Sequence, residues 1–594
     1  MRAPRRSVFI VSLCVASLFA SPARASWVTL DHTDGPVTLP NVPQVAVVGG
    51  EALSLRLNPR GDVVLRRGET EQVVAPSRTS GGRISLPVLY VDGAGVHAFW
   101  RVKLGARIPE VGGPGDKLIY VRSSNDGGKT FGPASRLNQQ GGAFQPRVAG
   151  NGQGAVYAVW VDERHGPYHI FLNRSPDGGK RWKEGDVQLD IRPPSEGRAI
   201  DPALAAEGEQ VWVAWMEPII KGEVRRGGNR PGAEQTETDG FGIFLRRSSD
   251  RGESWVDPVL VSKVALQPVT PTLLRVKGKL LLYWFNGKHV LGAISADDGR
   301  TWTPIDPLPG SQEASGLAAA ADPASGRVVV AYTVGPEGKK HALFATSSSD
   351  GVQFEAPVHL PRKTPHLTTS ILPEIVLDWS GTVMVLWQDL RYLRSTVCAR
   401  VSKDGGRSWL PQDFCLEEQP GKFNAYFPKG AGDGNGRFYG VWVRNMDDRT
   451  QKTQVVLGRV DPERPPAGPP PGEASRTRLE QRVSEYWKSR IAAEWGKGYD
   501  FMDPVFQSRV RREAYIGTQG VVKYYDFNTT KMDLTERIAW VTVRYTMEIP
   551  ELDVQGRLLK VPKGDEETVQ EWVWMDGDWH LVFKDLMGQA FFRY

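Results

Sequence analysis

The sequence predicts a mainly β protein: a six- or seven-bladed β-propeller, with seven favoured, followed by a small α+β domain. Three observations carry this. First, an octet of the form Ser-x-Asp-x-Gly-x-Thr-aromatic begins at Ser124 as SNDGGKTF and returns at Ser175, Ser248, Ser295 and Ser402, with a shortened copy at Ser348. Second, its aspartates (Asp126, Asp177, Asp250, Asp297, Asp350 and Asp404) lie 51, 73, 47, 53 and 54 residues apart, and a period near 50 marks a propeller or a solenoid. Third, the stretches between octets alternate apolar and polar residues and end on an aromatic side chain, as strands do.

The chain is 594 residues long, enough for two or more units. Residues 1–25 read as a signal peptide. Arg2, Arg5 and Arg6 precede the apolar run Val8 to Ala20, and Ala23-Arg24-Ala25 offers a small-x-small cleavage site. Removing that segment takes away four arginines and no acid, so the formal charge of +6 falls to +2. That balance gives no basis for nucleic-acid binding. No internal apolar run approaches a membrane span. The expected location is secreted or periplasmic, and no metal or cofactor is implied.

Residues 26–460 form the propeller. After a turn-rich opening with strand-like pieces at Ala52–Leu57 and Asp62–Arg66, a unit repeats seven times. A strand often led by Pro passes a Gly-containing turn into a strand ending at Trp100, Trp160, Trp215, Trp284, Tyr332, Trp387 or Trp442. A third strand follows, and the octet turns into a fourth. The seventh unit lacks its fourth strand, so an N-terminal strand is expected to complete it, with Asp62–Arg66 or Glu71–Ala75 as candidates. Once Cys14 leaves with the leader, Cys398 and Cys415 remain, and in an oxidising compartment they either pair across one hairpin or stay as two buried thiols. Two cysteines without nearby His make no zinc site.

Residues 461–474 are a Pro-rich, semi-rigid linker. Within 475–594, RTRLEQRVSEYWKSRIAAEW reads as an amphipathic helix with Leu479, Val483, Trp487 and Ile491 at four-residue steps. Strands follow around Ala539–Ile549 and Glu571–Phe583, the second a hairpin whose Asp576-Gly577 suits a primed turn. This pattern resembles the nuclear-transport-factor-like and SnoaL-like cone fold, whose members include ligand-binding cones; His580 and the Trp residues here read as core and surface.

The octets resemble the Asp boxes, or BNR repeats, of the sialidase superfamily. Ser and Asp side chains cap nearby backbone N–H groups in such a turn, and Gly takes the left-handed conformation. The resemblance implies boxes on the turn between third and fourth strands, away from ligand. Ligands are then expected on the opposite face, where long loops carry Asp162, Arg164, Glu217, Asp389, Arg391 and Arg394. The repeated Trp-x-Asp-x-Arg at Trp160 and Trp387 also reads as a structural pair tying neighbouring blades. A retaining sialidase adds an arginine cluster for the substrate carboxylate, a Tyr nucleophile with a Glu partner, and an Asp acid/base. Candidates here are Arg101, Asp116 and Tyr426; the family's Phe/Tyr-Arg-Ile-Pro motif is disrupted to Gly82-Arg83-Ile84-Ser85-Leu86-Pro87, and no Glu partner emerges. The function expected is therefore binding of a glycan or protein ligand, with exo-sialidase activity and an envelope scaffold as alternatives.

Overall fold

The computed structural model describes residues 27–34, 41–105, 116–193, 198–220, 238–264, 269–335, 340–362, 369–378, 380–392, 394–447, 452–461, 473–519, 521–535, 537–554 and 557–583. The leader and nearly all of the Pro-rich linker fall outside these residues. Nine four-stranded antiparallel sheets are present among them, and eight are built from residues 27–460. The innermost strands of those eight pack in succession. Gln44–Val48 meets Gly82–Asp92, the chain of contacts runs round to Asn424–Gly432, and that strand returns to Gln44–Val48. The ring is closed.

The seven repeats legible in the sequence are the second to eighth sheets. The first, Gln44–Val48, Glu51–Leu57, Val63–Arg67 and Thr70–Ala75, is complete in itself. Its strands satisfy one another as a meander, so neither Asp62–Arg66 nor Glu71–Ala75 is available to finish the last sheet. Trp27–Asp34 does so instead, antiparallel to Lys452–Val460 from Trp27 opposite Gly458 to Asp34 opposite Lys452. The count of seven and the proposed closing strands are both corrected. The first blade has no octet and no strand ending in Trp, so the repeat pattern does not reach it.

Burial falls off toward the axis. Second and third strands such as Val156–Asp162 and His169–Ser175 are buried at every position, and Trp160, Trp212, Trp215, Trp387 and Trp442 fill the spaces between sheets. The innermost strands are mostly half-buried, Gln44–Val48 along its whole length. They surround the axis of the ring. Cys398 and Cys415 face each other across the third and fourth strands of the seventh blade and are joined by a disulfide, 17 residues apart in sequence.

Each octet forms the same turn. Ser124 Oγ donates to Asp126 Oδ1 at 2.6 Å and accepts from Gly128 N at 2.8 Å, while Asp126 Oδ1 accepts from Thr130 N at 3.0 Å. Gly128 has φ +84°, where an added Cβ would also meet Leu65 at 3.1 Å. The closing aromatics Phe131, Trp182, Trp255, Trp302, Phe354 and Trp409 pack at the margins of successive blade cores.

The C-terminal sheet is ordered Lys523–Thr535, Ile538–Val554, Arg557–Met575 and Asp578–Leu581. Helices α1 (Glu473–Ile491), α2 (Trp495–Asp500), α3 (Pro504–Arg509) and α4 (Arg512–Gly517) precede it. Asp576 and Gly577 have φ +50° and +83°, joining Met575 to Asp578 through the primed turn. Helix α1 buries Leu479, Val483, Tyr486 and Trp487, whereas Ile491 is 36% exposed and lies off that stripe.

The box turns make stability acid-sensitive. Hydrogen bonds from Ser254 and Ser248 hold the Asp250 carboxyl down to about 2, and the other five aspartates are likewise lowered. A carboxyl lowered on folding stabilises the native state above its unfolded value, near 4, and that contribution is lost as pH falls toward 2. Urea midpoints are expected to drop between pH 4.5 and 2.5, and Asp250→Asn should lower the midpoint at pH 6 while flattening the acid limb. An unchanged acid limb would contradict this role.

Candidate binding face

In a meandering blade the start of the first strand, the end of the second and the start of the third share one face, and the octets mark the other. The side chains expected to bind on the first face are largely engaged inside the protein. Asp162 is fully buried; its carboxylate accepts from Trp160 Nε1 at 3.0 Å, Arg164 N at 2.9 Å and Arg164 Nη2 at 2.6 Å. Arg164 reaches on to Asp186, 3.0 Å from Nη1 to Oδ1, and lies 3.9 Å over the Phe171 ring. The seventh blade repeats this arrangement. Trp387 Nε1 donates to Asp389 at 2.8 Å, Arg391 bonds both oxygens of Asp389 at 2.8 and 2.9 Å, and Arg391 continues to Asp413.

Asp186 and Asp413 each follow their arginine by 22 residues and stand just before the short outer strand of the same blade. The Trp-x-Asp-x-Arg segment is thus a strut across one blade, not a tie between neighbours. Only Asp413 reaches further, through Arg362, which follows the sixth blade's outer strand. Burial opposes the charge on Asp389, yet the Arg391 guanidinium outweighs it and holds the carboxyl below the usual range. As ligand-gripping groups, Asp162, Arg164, Asp389 and Arg391 are corrected to internal ion pairs.

Glu217 is also internal, 3.5 Å from Arg192, and burial raises its carboxyl against the pull of that arginine. Arg394 is 2% exposed; it donates to the Gly421 carbonyl at 2.8 Å and pairs with Asp503, just ahead of α3. The C-terminal unit sits here. Lys422 reaches Asp576 at 2.6 Å, Asp576 N donates to Gln419 at 3.1 Å, and Tyr392 shares an apolar cluster with Ile538, Val573, Met575 and Val582. Arg394 belongs to a domain contact, which no sequence pattern marks.

The catalytic candidates fall on the second and eighth blades. Arg101 donates to Ser85 Oγ at 3.1 Å in the second blade, and burial lowers its pKa. Asp116 stands at the foot of that blade's loop, its carbonyl accepting from Leu104 N at 2.8 Å; residues 106–115 lie outside the described residues. Tyr426 belongs to the eighth blade. Burial raises its phenol against the field of Arg509 and Arg394, and among the described residues no carboxylate hydrogen-bonds its hydroxyl.

A different set of residues converges on this face. In seven blades the register slips near the start of the innermost strand. In five of them the slip carries a non-glycine residue with φ between +51° and +55° immediately before proline: Leu86, Gln145, Asp201, Leu372 and Phe427. Left-handed backbone at such residues costs about 1–3 kcal/mol and persists where surroundings impose it, often at functional sites. All five remain at least partly exposed, Leu372 by 48%. Arg147, beside this ring, is exposed although the surrounding protein lowers its pKa, with Asp201 opposing. The X-Pro pair that opens most units was the available sequence signal.

No family model and no curated protein matches the chain. Among solved structures, it is similar to the NanB sialidase of Streptococcus pneumoniae, at 11% identity over 74% of this chain and 95% of that one, TM-score 0.34. A leech intramolecular trans-sialidase aligns at 10% identity over 74% and 93%, TM-score 0.32. A Penicillium chrysogenum alpha-L-arabinanase aligns at 17% over 54% and 94%, TM-score 0.34. Likenesses of this size carry no functional argument, and the propeller rests on the sheet order.

Removing the cation of a buried pair strands its carboxylates and costs about 3–5 kcal/mol. Arg391→Ala should therefore destabilise the protein by about that amount in guanidinium denaturation. A loss below about 1 kcal/mol, the range of surface ion pairs, would contradict the strut assignment.

Proposed function

We propose that the chain is an exported binding propeller that engages a glycan or protein ligand at the axial mouth opposite its Asp boxes. The carrying observation is the ring of left-handed, pre-proline residues. Gln145 and Asp201 place polar side chains there, and Leu372 and Phe427 offer apolar surface, all held on the inner strands. A few placed polar groups among apolar ones is the usual make-up of a ligand site. Export is supported by the leader-like segment 1–25, whose removal would spare the closing strand at Trp27, and by the disulfide, which suits an oxidising compartment.

Hydrolysis of a sialoside is the less supported alternative. It needs an activated nucleophile and an acid, whereas the Tyr426 phenol is raised and lacks a carboxylate partner among the described residues. The seated C-terminal unit favours a role for it in binding or assembly on the same face.

Mature protein incubated with a fluorogenic sialoside is expected to show no turnover, and a glycan array is expected to give hits that Gln145→Ala with Phe427→Ala weaken at least about tenfold, the loss of roughly 1.4 kcal/mol of contact. Turnover abolished by Tyr426→Phe would overturn the binding reading. An empty array with a co-purifying envelope protein would move it to scaffolding.

A further inference from the structure

The C-terminal unit holds a cavity of about 700 Å³ between its helices and its sheet. Helix α1 sets the cavity's chemistry. Its buried stripe runs Leu479, Val483, Tyr486 and Trp487, and the next residue on that face is Arg490. A charge on the apolar side of a helix ordinarily meets a counter-ion. Arg490 meets none among the described residues. Its bonds go to neutral acceptors: the Tyr486 hydroxyl at 3.3 Å, the Gln519 carbonyl oxygen at 3.0 Å and the Tyr524 hydroxyl at 2.5 Å. Its guanidinium also lies 4.5 Å from the Tyr524 ring centre and 5.2 Å from that of Trp495.

These bonds use three of the five guanidinium N–H groups. The surrounding wall is aromatic: Trp487 and Tyr545 lie 4.7 Å apart, and Tyr524 is 5.8 Å from each. Glu571 is the one carboxylate in the lining among the described residues; it is buried and already has a partner. The charge left for a guest is positive.

We infer that this cavity binds a small organic acid, its carboxylate paired with Arg490 and its flat apolar body against Trp487, Tyr524 and Tyr545. A carboxylate matches the planar guanidinium, and the pair strengthens beside aromatic walls that lower the local dielectric. The inference goes beyond the propeller reading and does not depend on it.

The test uses the full mature chain, titrated calorimetrically with 1-naphthoate and with its uncharged counterpart 1-naphthamide. One naphthoate per chain is expected, with the amide at least about tenfold weaker, and Arg490→Gln should remove the preference for the acid while Arg490→Lys keeps part of it. Equal affinity for acid and amide, binding of neither, or a preference that survives Arg490→Gln overturns the inference. Should that variant fail to fold, the acid-to-amide ratio of the unmodified chain decides alone.

Discussion

The propeller depends on one pairing between distant parts of the chain. Trp27–Asp34 lies along Lys452–Val460 and supplies the fourth strand of the last blade. Without it, the long strand Lys452–Val460 would be the outer edge of the last blade and would present unpaired N–H and C=O groups to solvent. The pairing spans more than 400 residues of chain, so its loop-closure entropy is large in total but grows only slowly with length. The ring itself closes through the innermost strands Gln44–Val48 and Asn424–Gly432, which gathers the strained X-Pro residues toward one face.

What could be read from the sequence follows from which interactions are local. An octet is a self-contained turn: Ser124, Asp126, Gly128 and Thr130 bond one another within six residues, so their identities alone declare the geometry. The same holds for Asp576-Gly577, where two positive φ angles require those residue types. The first blade left no such mark, because four strands without boxes look like an ordinary turn-rich stretch. Nor did Arg394 declare its partner, since Asp503 lies 109 residues away and no spacing rule connects them. The aspartate–arginine segments were legible as structural pairs, but their direction across one blade depends on Asp186 and Asp413, 22 residues downstream.

The two units divide the chemistry of one face. The propeller contributes a rigid mouth of mixed polar and apolar side chains, while its acidic and basic groups are mostly spent on internal struts. The C-terminal unit seats on the seventh blade and the segment leading into the eighth through a buried charge pair, a surface pair and an apolar patch. Buried pairs hold geometry more than they add net stability. Arg394–Asp503 therefore acts chiefly to fix where the C-terminal unit sits, and it removes Arg394 from any list of ligand contacts.

A double-mutant cycle on Arg394→Met and Asp503→Asn measures that seating. A coupling free energy above about 1 kcal/mol is expected in the unfolding of the full chain, as for residues in direct contact. Additivity of the two substitutions to within about 0.5 kcal/mol would contradict it.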